Sequence, residues 1–197
     1  RPGDTILLND SFLGGGHFPD FFLTSPVFRE GRIIAYCVVT AHQMDMGGAA
    51  PGSQRVQGIS EAYQEGLRIL PVRVVREGKF DDDVLRMILG NVRVPDKVRG
   101  DLMAQLNANH VGAERLQRMF DDYGAETMAR TIDAILARSE AETRAIIARI
   151  PQGRFEFEDQ LDDCGPGTDP IKVKVAVTIE DGSIEIDFDG SGPTVAA

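Results

Sequence analysis

"DFFLTSPVFREGRIIAYCVVT", residues 20–40, contains two apolar runs separated by the short polar stretch "REGR". Runs of aromatic and β-branched residues bounded by turn-forming residues are typical of β-strands. A short connection that includes Gly31 is typical of a tight hairpin. We therefore predict that this stretch forms an antiparallel hairpin with "REGR" as its four-residue turn.

The register of this hairpin decides which residues meet at its open end. If Phe28 pairs with Ile33 across the turn, antiparallel pairing places Asp20 opposite Ala41 and beside His42. A slip of one or two residues would still leave the two strand ends adjacent. The residues that flank the hairpin are therefore expected to meet.

Those flanking residues repeat one motif, H-x-x-D. His17 and Asp20 lie in "GGGHFPD", and His42 and Asp45 lie in "AHQMDMGG". Mixed imidazole and carboxylate ligands suit Mn²⁺, Fe²⁺ or Zn²⁺ better than Mg²⁺ or Ca²⁺, which favour oxygen ligands. The alternative is that each histidine is a hydrogen-bonded structural residue near a strand end. Two such motifs on one hairpin make a divalent transition-metal site a candidate, and the pattern alone leaves both interpretations open.

The composition of the chain changes twice and predicts three regions. Residues 1–80 are β-rich and carry the metal motifs, with further strands expected in "TILLN" and "LRILPVRVV". Residues 81–150 are helical, with apolar positions at helical spacing, and predict an antiparallel pair of helices. Residues 151–197 alternate again, and Asp181-Gly182 predicts a hairpin. The fold class is α+β: a glycine-rich β region, a central antiparallel helical pair and a C-terminal β hairpin, as parts of one larger domain or subunit.

Charge, hydropathy and cysteine content exclude several classes of function. The 197 residues include 21 Lys and Arg against 31 Asp and Glu, and no basic run is present, so no nucleic acid is expected as a partner. No apolar stretch reaches about 18 residues, so no membrane partner is expected. Cys37 and Cys164 are far apart and form no paired motif, which favours a reducing cytoplasm. Because the chain opens with "RPGDT" rather than Met, we expect an internal fragment of a longer chain.

Other candidate sites are weaker. "GGGH" lacks the spacing of a phosphate-binding loop, and Ser11 and Ser53 lie outside any G-x-S-x-G motif. The helical region also holds a dense set of polar residues, which form either a network that supports a buried site or a plain solvent-facing helix surface. This set comprises Asn91, Arg93, Gln105, Asn107 and Asn109.

Four stretches together give the chain a family resemblance, and they extend over most of its length. They are "GDTILLNDSFLGGGHFPDFFLTSPVF", "AHQMDMGGAAPGS", "ILGNVRVPDKVRGDLMAQLNANHVGAERL" and "DFDGSGP". In these motifs the chain resembles the hydantoinase B/oxoprolinase family. That family includes the B subunit of N-methylhydantoinase, the corresponding half of 5-oxoprolinase, and the metal-binding subunit of acetone and acetophenone carboxylases.

The resemblance implies roles for individual residues. The family's metal ligands correspond to His17, Asp20 and His42. Asp45 corresponds to the aspartate of the second motif, where it would act as a catalytic general base or orient His42. A further acidic ligand is expected upstream of Arg1.

The resemblance also implies a reaction and a partner. We expect the metal-binding catalytic subunit of an ATP-dependent cyclic amidase of the hydantoinase/oxoprolinase type. A hydantoinase A-type subunit would use ATP to phosphorylate the substrate, which this subunit would then hydrolyse. Two alternatives stay open: the metal-binding subunit of an ATP-dependent ketone carboxylase, and a non-catalytic assembly fragment.

Overall fold

The computed structural model describes residues 1–53, 55, 58–163 and 167–195. The chain forms two compact units, Arg1–Asp122 and Tyr123–Ala197. Among the described residues, no helix is long and apolar enough to cross a membrane. Cys37 carries a free thiol, whereas Cys164 lies outside the described residues. The division into regions 1–80, 81–150 and 151–197 stays a prediction.

The first unit is built on a five-stranded antiparallel sheet with the strand order β3-β2-β1-β4-β5. Its strands are β1 (Thr5–Leu8), β2 (Asp20–Arg29), β3 (Arg32–His42), β4 (Val72–Arg76) and β5 (Lys79–Phe80), and its helices are α1 (Asp82–Leu89) and α2 (Pro95–Tyr123), which ends one residue past the unit. Short 3-10 turns lie at Ser11–Leu13, Pro51–Ser53 and Ala62–Gln64.

The predicted hairpin is confirmed by strands β2 and β3. Glu30 and Gly31 lie between the strands with φ of 51° and 75°, the left-handed conformation that two-residue hairpin turns require. Arg29 pairs with Arg32 on either side of this turn. The stretch "REGR" is therefore the turn that its sequence predicts.

The predicted register is correct near the turn and wrong by one residue beyond it. Phe28 pairs with Ile33 as expected, but a bulge between Val27 and Phe28 shifts the ladder. From Val27 to the open end, each residue of β2 pairs with the β3 residue one position after the predicted partner. Asp20 therefore pairs directly with His42 instead of Ala41. A bulge adds one unpaired residue to one strand, which the apolar pattern alone does not reveal.

The strand predicted in "LRILPVRVV" begins later than expected, at Val72. In the preceding segment, Leu67 O and Ile69 N are hydrogen-bonded by the side chain of Asn9 rather than by a strand. Pro71 also lacks the N–H that a strand ladder needs. A buried amide thus replaces strand pairing at this point.

The core of the first unit lies between the sheet and its helices. Asp81 caps α1 by accepting a hydrogen bond from Val84 N, and Pro95 occupies the first position of α2, where its missing N–H costs nothing. The fully buried members of the core come from β1, β2, β4 and both helices, and from the loop after β3. They include Leu7, Phe21, Leu23, Met46, Val74, Ile88, Val98 and Leu102.

The second unit combines one helix with a three-stranded antiparallel sheet. Its elements are α3 (Ala125–Ile147), β6 (Gly153–Leu161), β7 (Ile171–Glu180) and β8 (Ser183–Asp187), with the sheet order β6-β7-β8. The predicted hairpin is confirmed between β7 and β8, where Asp181 and Gly182 both have positive φ. Because α2 and α3 belong to different units, their antiparallel packing stays a prediction.

Candidate metal centre

Three of the four residues of the H-x-x-D motifs form one side-chain group. Asp20 is the first residue of β2 and His42 is the last residue of β3, so their pairing brings both side chains to the same sheet edge. His17 lies in the loop that leads into β2. One ligand atom from each residue lies within 4.8 Å of the others, a grouping that can hold a metal ion.

The carboxylate of Asp20 bridges the two imidazoles. His17 Nδ1 is 2.9 Å from Asp20 Oδ2, and His42 Nδ1 is 3.1 Å from Asp20 Oδ1. The two rings are 4.9 Å apart between centroids and tilted by 35°. The histidine side chains are 46% and 40% exposed, so the group is open to solvent and to a ligand.

A buried asparagine fixes the loop that carries His17. Asn9, at the end of β1, donates hydrogen bonds of 2.6 Å to Phe18 O and 2.8 Å to Leu67 O. Asp20 N also donates to His17 O at 3.0 Å, which closes the turn between the two candidate ligands. Buried amides with satisfied partners rigidify their surroundings. Asn9 therefore limits the positions that His17 can adopt.

The neighbouring Asp10 anchors the glycine segment before His17. Its carboxylate is buried, pairs with Arg68 at 2.5 Å, and accepts a hydrogen bond from Phe12 N. Its backbone O accepts a hydrogen bond from Gly15 N. Burial alone would raise the pKa of Asp10, but the hydrogen bonds from Arg68 and from backbone N–H groups lower it below its usual value. Asp10 is therefore a charged anchor rather than a proton carrier.

Asp45, the fourth residue of the two motifs, is hydrogen-bonded within the loop that follows His42. It is 2% exposed, and its carboxylate accepts hydrogen bonds from the backbone N–H groups of Gly47, Gly52 and Arg93. The guanidinium of Arg93 adds a contact of 2.8 Å. Burial raises the pKa of Asp45, but these hydrogen bonds outweigh it and hold the pKa below its usual value. Asp45 is thus a fixed anion.

The polar residues of the helical region divide between the two interpretations. Gln105 and Asn109 are buried on α2 and donate to Phe21 O and Leu23 O of β2, as the network interpretation predicts. Asn107 is exposed, as expected for a solvent-facing helix surface. The roles of Asn9 and Asp10 were missed from the sequence, because their partners Leu67 and Arg68 lie 58 positions away along the chain and no local motif marks them.

The group lies on the face of the sheet that points away from the buried core. Asp20 and His42 share that face with the pair Phe22 and Thr40, because paired residues point to the same side and alternate residues repeat it. Val38, two positions further along β3, is exposed on the same face. The candidate ligands thus border a strand face on which Phe22 and Val38 supply apolar surface.

One cavity of the first unit lies elsewhere. It has a volume of about 460 Å³ and lies between α2 and the far end of the sheet, and none of His17, Asp20 and His42 lines it. His110 is on its rim, with its imidazole 68% exposed and 3.5 Å from Glu114. The third histidine of the chain therefore lies apart from the candidate metal group.

Comparison with known proteins places this geometry in context. The beta subunit of caprolactamase from Pseudomonas jessenii is 32% identical over 177 residues, which are 90% of this chain and 30% of that subunit. The crystal structure of ATP-dependent caprolactamase from the same organism superposes with a TM-score of 0.91 at 30% identity, covering 100% of this chain and 34% of that one. A nucleotide-free acetone carboxylase structure gives a TM-score of 0.85 at 22% identity, covering 97% of this chain and 27% of that one, and shares the fold.

A family description accounts for the whole chain. The hydantoinase B/oxoprolinase family matches residues 1–197. The chain spans about a third of the length of the caprolactamase subunit. It therefore belongs to the hydantoinase B/oxoprolinase family, as its motifs predict.

Proposed function

We propose that this chain is the metal-binding part of an ATP-dependent enzyme that hydrolyses cyclic amides. The observation that carries the proposal is the group formed by His17, Asp20 and His42 at an open edge of the sheet. The likeness to caprolactamase supports an amide as the substrate class. The apolar surface beside the group suits the hydrocarbon part of a small ring.

The donor set of the group fits a divalent transition metal. His17 and His42 offer imidazole nitrogens and Asp20 offers a carboxylate, the combination that Mn²⁺, Fe²⁺ and Zn²⁺ accept. Such an ion, when bound, polarises a carbonyl oxygen and lowers the pKa of water. The contacts between Asp20 and both imidazoles already place the three side chains together, so little rearrangement is needed for binding.

The other residues of the site hold and orient it. Asn9 fixes the loop of His17, and Arg93 fixes the loop after His42 through Asp45. The hydrogen bonds that Asp45 accepts leave it committed to that loop. We therefore assign Asp45 the task of ordering the loop rather than that of a general base.

A partner subunit is assigned the nucleotide chemistry. No glycine-rich phosphate-binding motif followed by a helix occurs in this sequence. Phosphorylation of the amide oxygen by an ATP-using hydantoinase A-type subunit would make the ring carbon a better electrophile for hydrolysis. The hydrolase is favoured over a ketone carboxylase because the caprolactamase likeness is higher in sequence identity, whereas the carboxylase likeness concerns the fold alone.

Metal analysis of three proteins tests the proposal. We expect the purified protein to bind Mn, Fe or Zn in near-stoichiometric amount, and a His17→Ala/His42→Ala variant to lose it. His110→Ala is the matched control, since this exposed histidine lies apart from the group, and it should keep the metal. With the partner subunit present, the wild type and His110→Ala should hydrolyse a lactam at the expense of ATP, and the double variant should not. Equal metal content in all three proteins would refute the site.

A further inference from the structure

A fully buried glutamine directly follows His42 and links both strands of the site. Gln43 N donates to Pro19 O at 2.7 Å, one residue before Asp20. Its side-chain Nε2 donates to Ala41 O at 3.2 Å, one residue before His42. Gln43 therefore forms hydrogen bonds with the backbone next to both candidate ligands.

A second buried glutamine completes this connection from the helix. Gln43 Nε2 also donates to Gln105 Oε1 at 3.0 Å, and Gln105 Nε2 donates to Phe21 O at 2.9 Å, one residue after Asp20. Each amide nitrogen faces a carbonyl oxygen, so the orientation of both side chains is fixed by their partners. Helix α2 thus binds the backbone of β2 and, through Gln43, that of β3, each at a position one residue away from a candidate ligand.

The energetics of Gln43 indicate a role beyond packing. Its Oε1 is buried and accepts no hydrogen bond from the described residues. A buried acceptor without a donor destabilises a fold, and such violations concentrate where a residue serves a function. An apolar side chain would remove this unpaired acceptor, but it would also remove the hydrogen bonds that Gln43 Nε2 donates to Ala41 O and Gln105 Oε1.

We propose that Gln43 and Gln105 form an amide clamp that sets the spacing between Asp20 and His42. The two glutamines are then positioning residues for metal binding. This inference rests on the metal site proposed above. Residues that orient metal ligands from outside the coordination sphere typically change affinity about tenfold to a hundredfold when they are replaced. The clamp should therefore be visible in metal affinity without any measurement of turnover.

The chain contains a matched control one helical turn away. Asn109 is also buried on α2 and donates to Leu23 O at 3.1 Å and to Ser25 Oγ at 3.1 Å. It makes the same kind of contact with the same strand, but farther from Asp20. Its replacement should cost stability without changing the spacing of the ligands.

The test compares affinity for Mn²⁺ alone, by chelator competition, in the wild type and in Gln105→Met and Asn109→Leu variants, with thermal unfolding measured in parallel. We expect Gln105→Met to weaken Mn²⁺ binding about tenfold or more and Asn109→Leu to change it less than about twofold. The visible spectrum of bound Co²⁺ should change only in the Gln105 variant. Gln43→Met gives an independent result if Gln105→Met fails to fold.

Two results would overturn the inference in distinguishable ways. In the first case the wild type binds Mn²⁺ and His42→Ala abolishes binding, which establishes the metal site. If both glutamine variants then bind Mn²⁺ as well as the wild type, or no worse than Asn109→Leu, the clamp has no positioning role. If the wild type does not bind Mn²⁺, Zn²⁺ or Co²⁺, the metal site itself fails and the clamp fails with it. The double variant Gln43→Met/Gln105→Met should lose little more affinity than either single variant, because the two amides act as a unit.

Discussion

Replacement of Arg93 by alanine should loosen the loop that follows His42 and destabilise the fold. The guanidinium of Arg93 makes four hydrogen bonds within this loop, one to the Asp45 carboxylate and three to backbone carbonyl groups. The three carbonyls belong to Gly47, Gly48 and Ala50, at distances of 2.7 to 3.0 Å. One side chain therefore binds three carbonyl groups of this loop, and its loss should loosen the segment between Gly47 and Ala50.

The expected loss of stability follows from the exposure of these groups. The Asp45 carboxylate is buried, so its hydrogen bond from the charged Arg93 is worth about 1.5–3 kcal/mol. The Arg93 side chain is 42% exposed, so water replaces part of its contacts with the carbonyls, which we count at roughly 0.5 kcal/mol each. The sum is about 3–4.5 kcal/mol. Asp45 keeps its three backbone N–H partners, which limits the penalty to this range.

Urea unfolding followed by circular dichroism measures this change, and Arg86→Ala is the matched control. Arg86 pairs with Asp83 on α1 at 2.6 Å, but both side chains are more than three-quarters exposed, so its loss should cost less than about 0.5 kcal/mol. Arg93→Ala should also lower affinity for Mn²⁺, since its loop continues directly from His42. If Arg93→Ala is no more destabilising than Arg86→Ala, the loop is not held as the contacts indicate.

Three further predictions concern backbone conformation, pH and association. Gly47→Ala should lower the free energy of unfolding in urea more than Gly31→Ala does. Both glycines have φ above 70°, but a Cβ at Gly47 would collide with Asn91 O, whereas a Cβ at Gly31 would meet open space. Equal losses in the two variants would contradict this. Because the pKa of Asp45 is lower in the folded state, its contribution to stability is complete above the unfolded value of about 4 and is lost as the pH falls through the folded value. The urea concentration at the unfolding midpoint should therefore decrease as the pH is lowered below about 4, and it should decrease less steeply in Asp45→Asn. Parallel dependence on pH in the wild type and in this variant would exclude Asp45 as a cause. Val38→Lys should reduce self-association measured by sedimentation velocity, because β3 is an exposed apolar edge strand. Identical sedimentation of the wild type and the variant would show that the protein does not associate through this edge.

The sequence predicts those features that depend on local pattern. Aromatic and β-branched runs around the turn "REGR" identify the hairpin, and apolar positions at helical spacing identify the helices that follow residue 81. The two H-x-x-D motifs identify three residues that the structure does bring together, His17, Asp20 and His42.

The features that the sequence does not predict depend on contacts between distant segments. The amide of Asn9 binds residues 58 and 60 positions away, and Gln43 meets Gln105 across 62 positions. A polar residue in a glycine-rich stretch has the same local signature whether it is buried or exposed. The separation of Asp45 from the other three motif residues has the same origin, since it depends on Arg93, 48 positions away.

The bulge in β3 decides whether the candidate ligands share one face of the sheet. In the regular register, Asp20 would pair with Ala41 and His42 with Pro19, and adjacent pairs point to opposite faces, so the two ligands would lie on opposite sides of the sheet. Ile34 is the residue of β3 that has no partner in β2, and this single addition moves His42 onto the face of Asp20. Two identical motifs at the ends of a hairpin are therefore not sufficient for a metal site. His17, Asp20 and His42 form one group because Ile34, an unpaired residue near the turn, restores the alternation that places His42 on the face of Asp20.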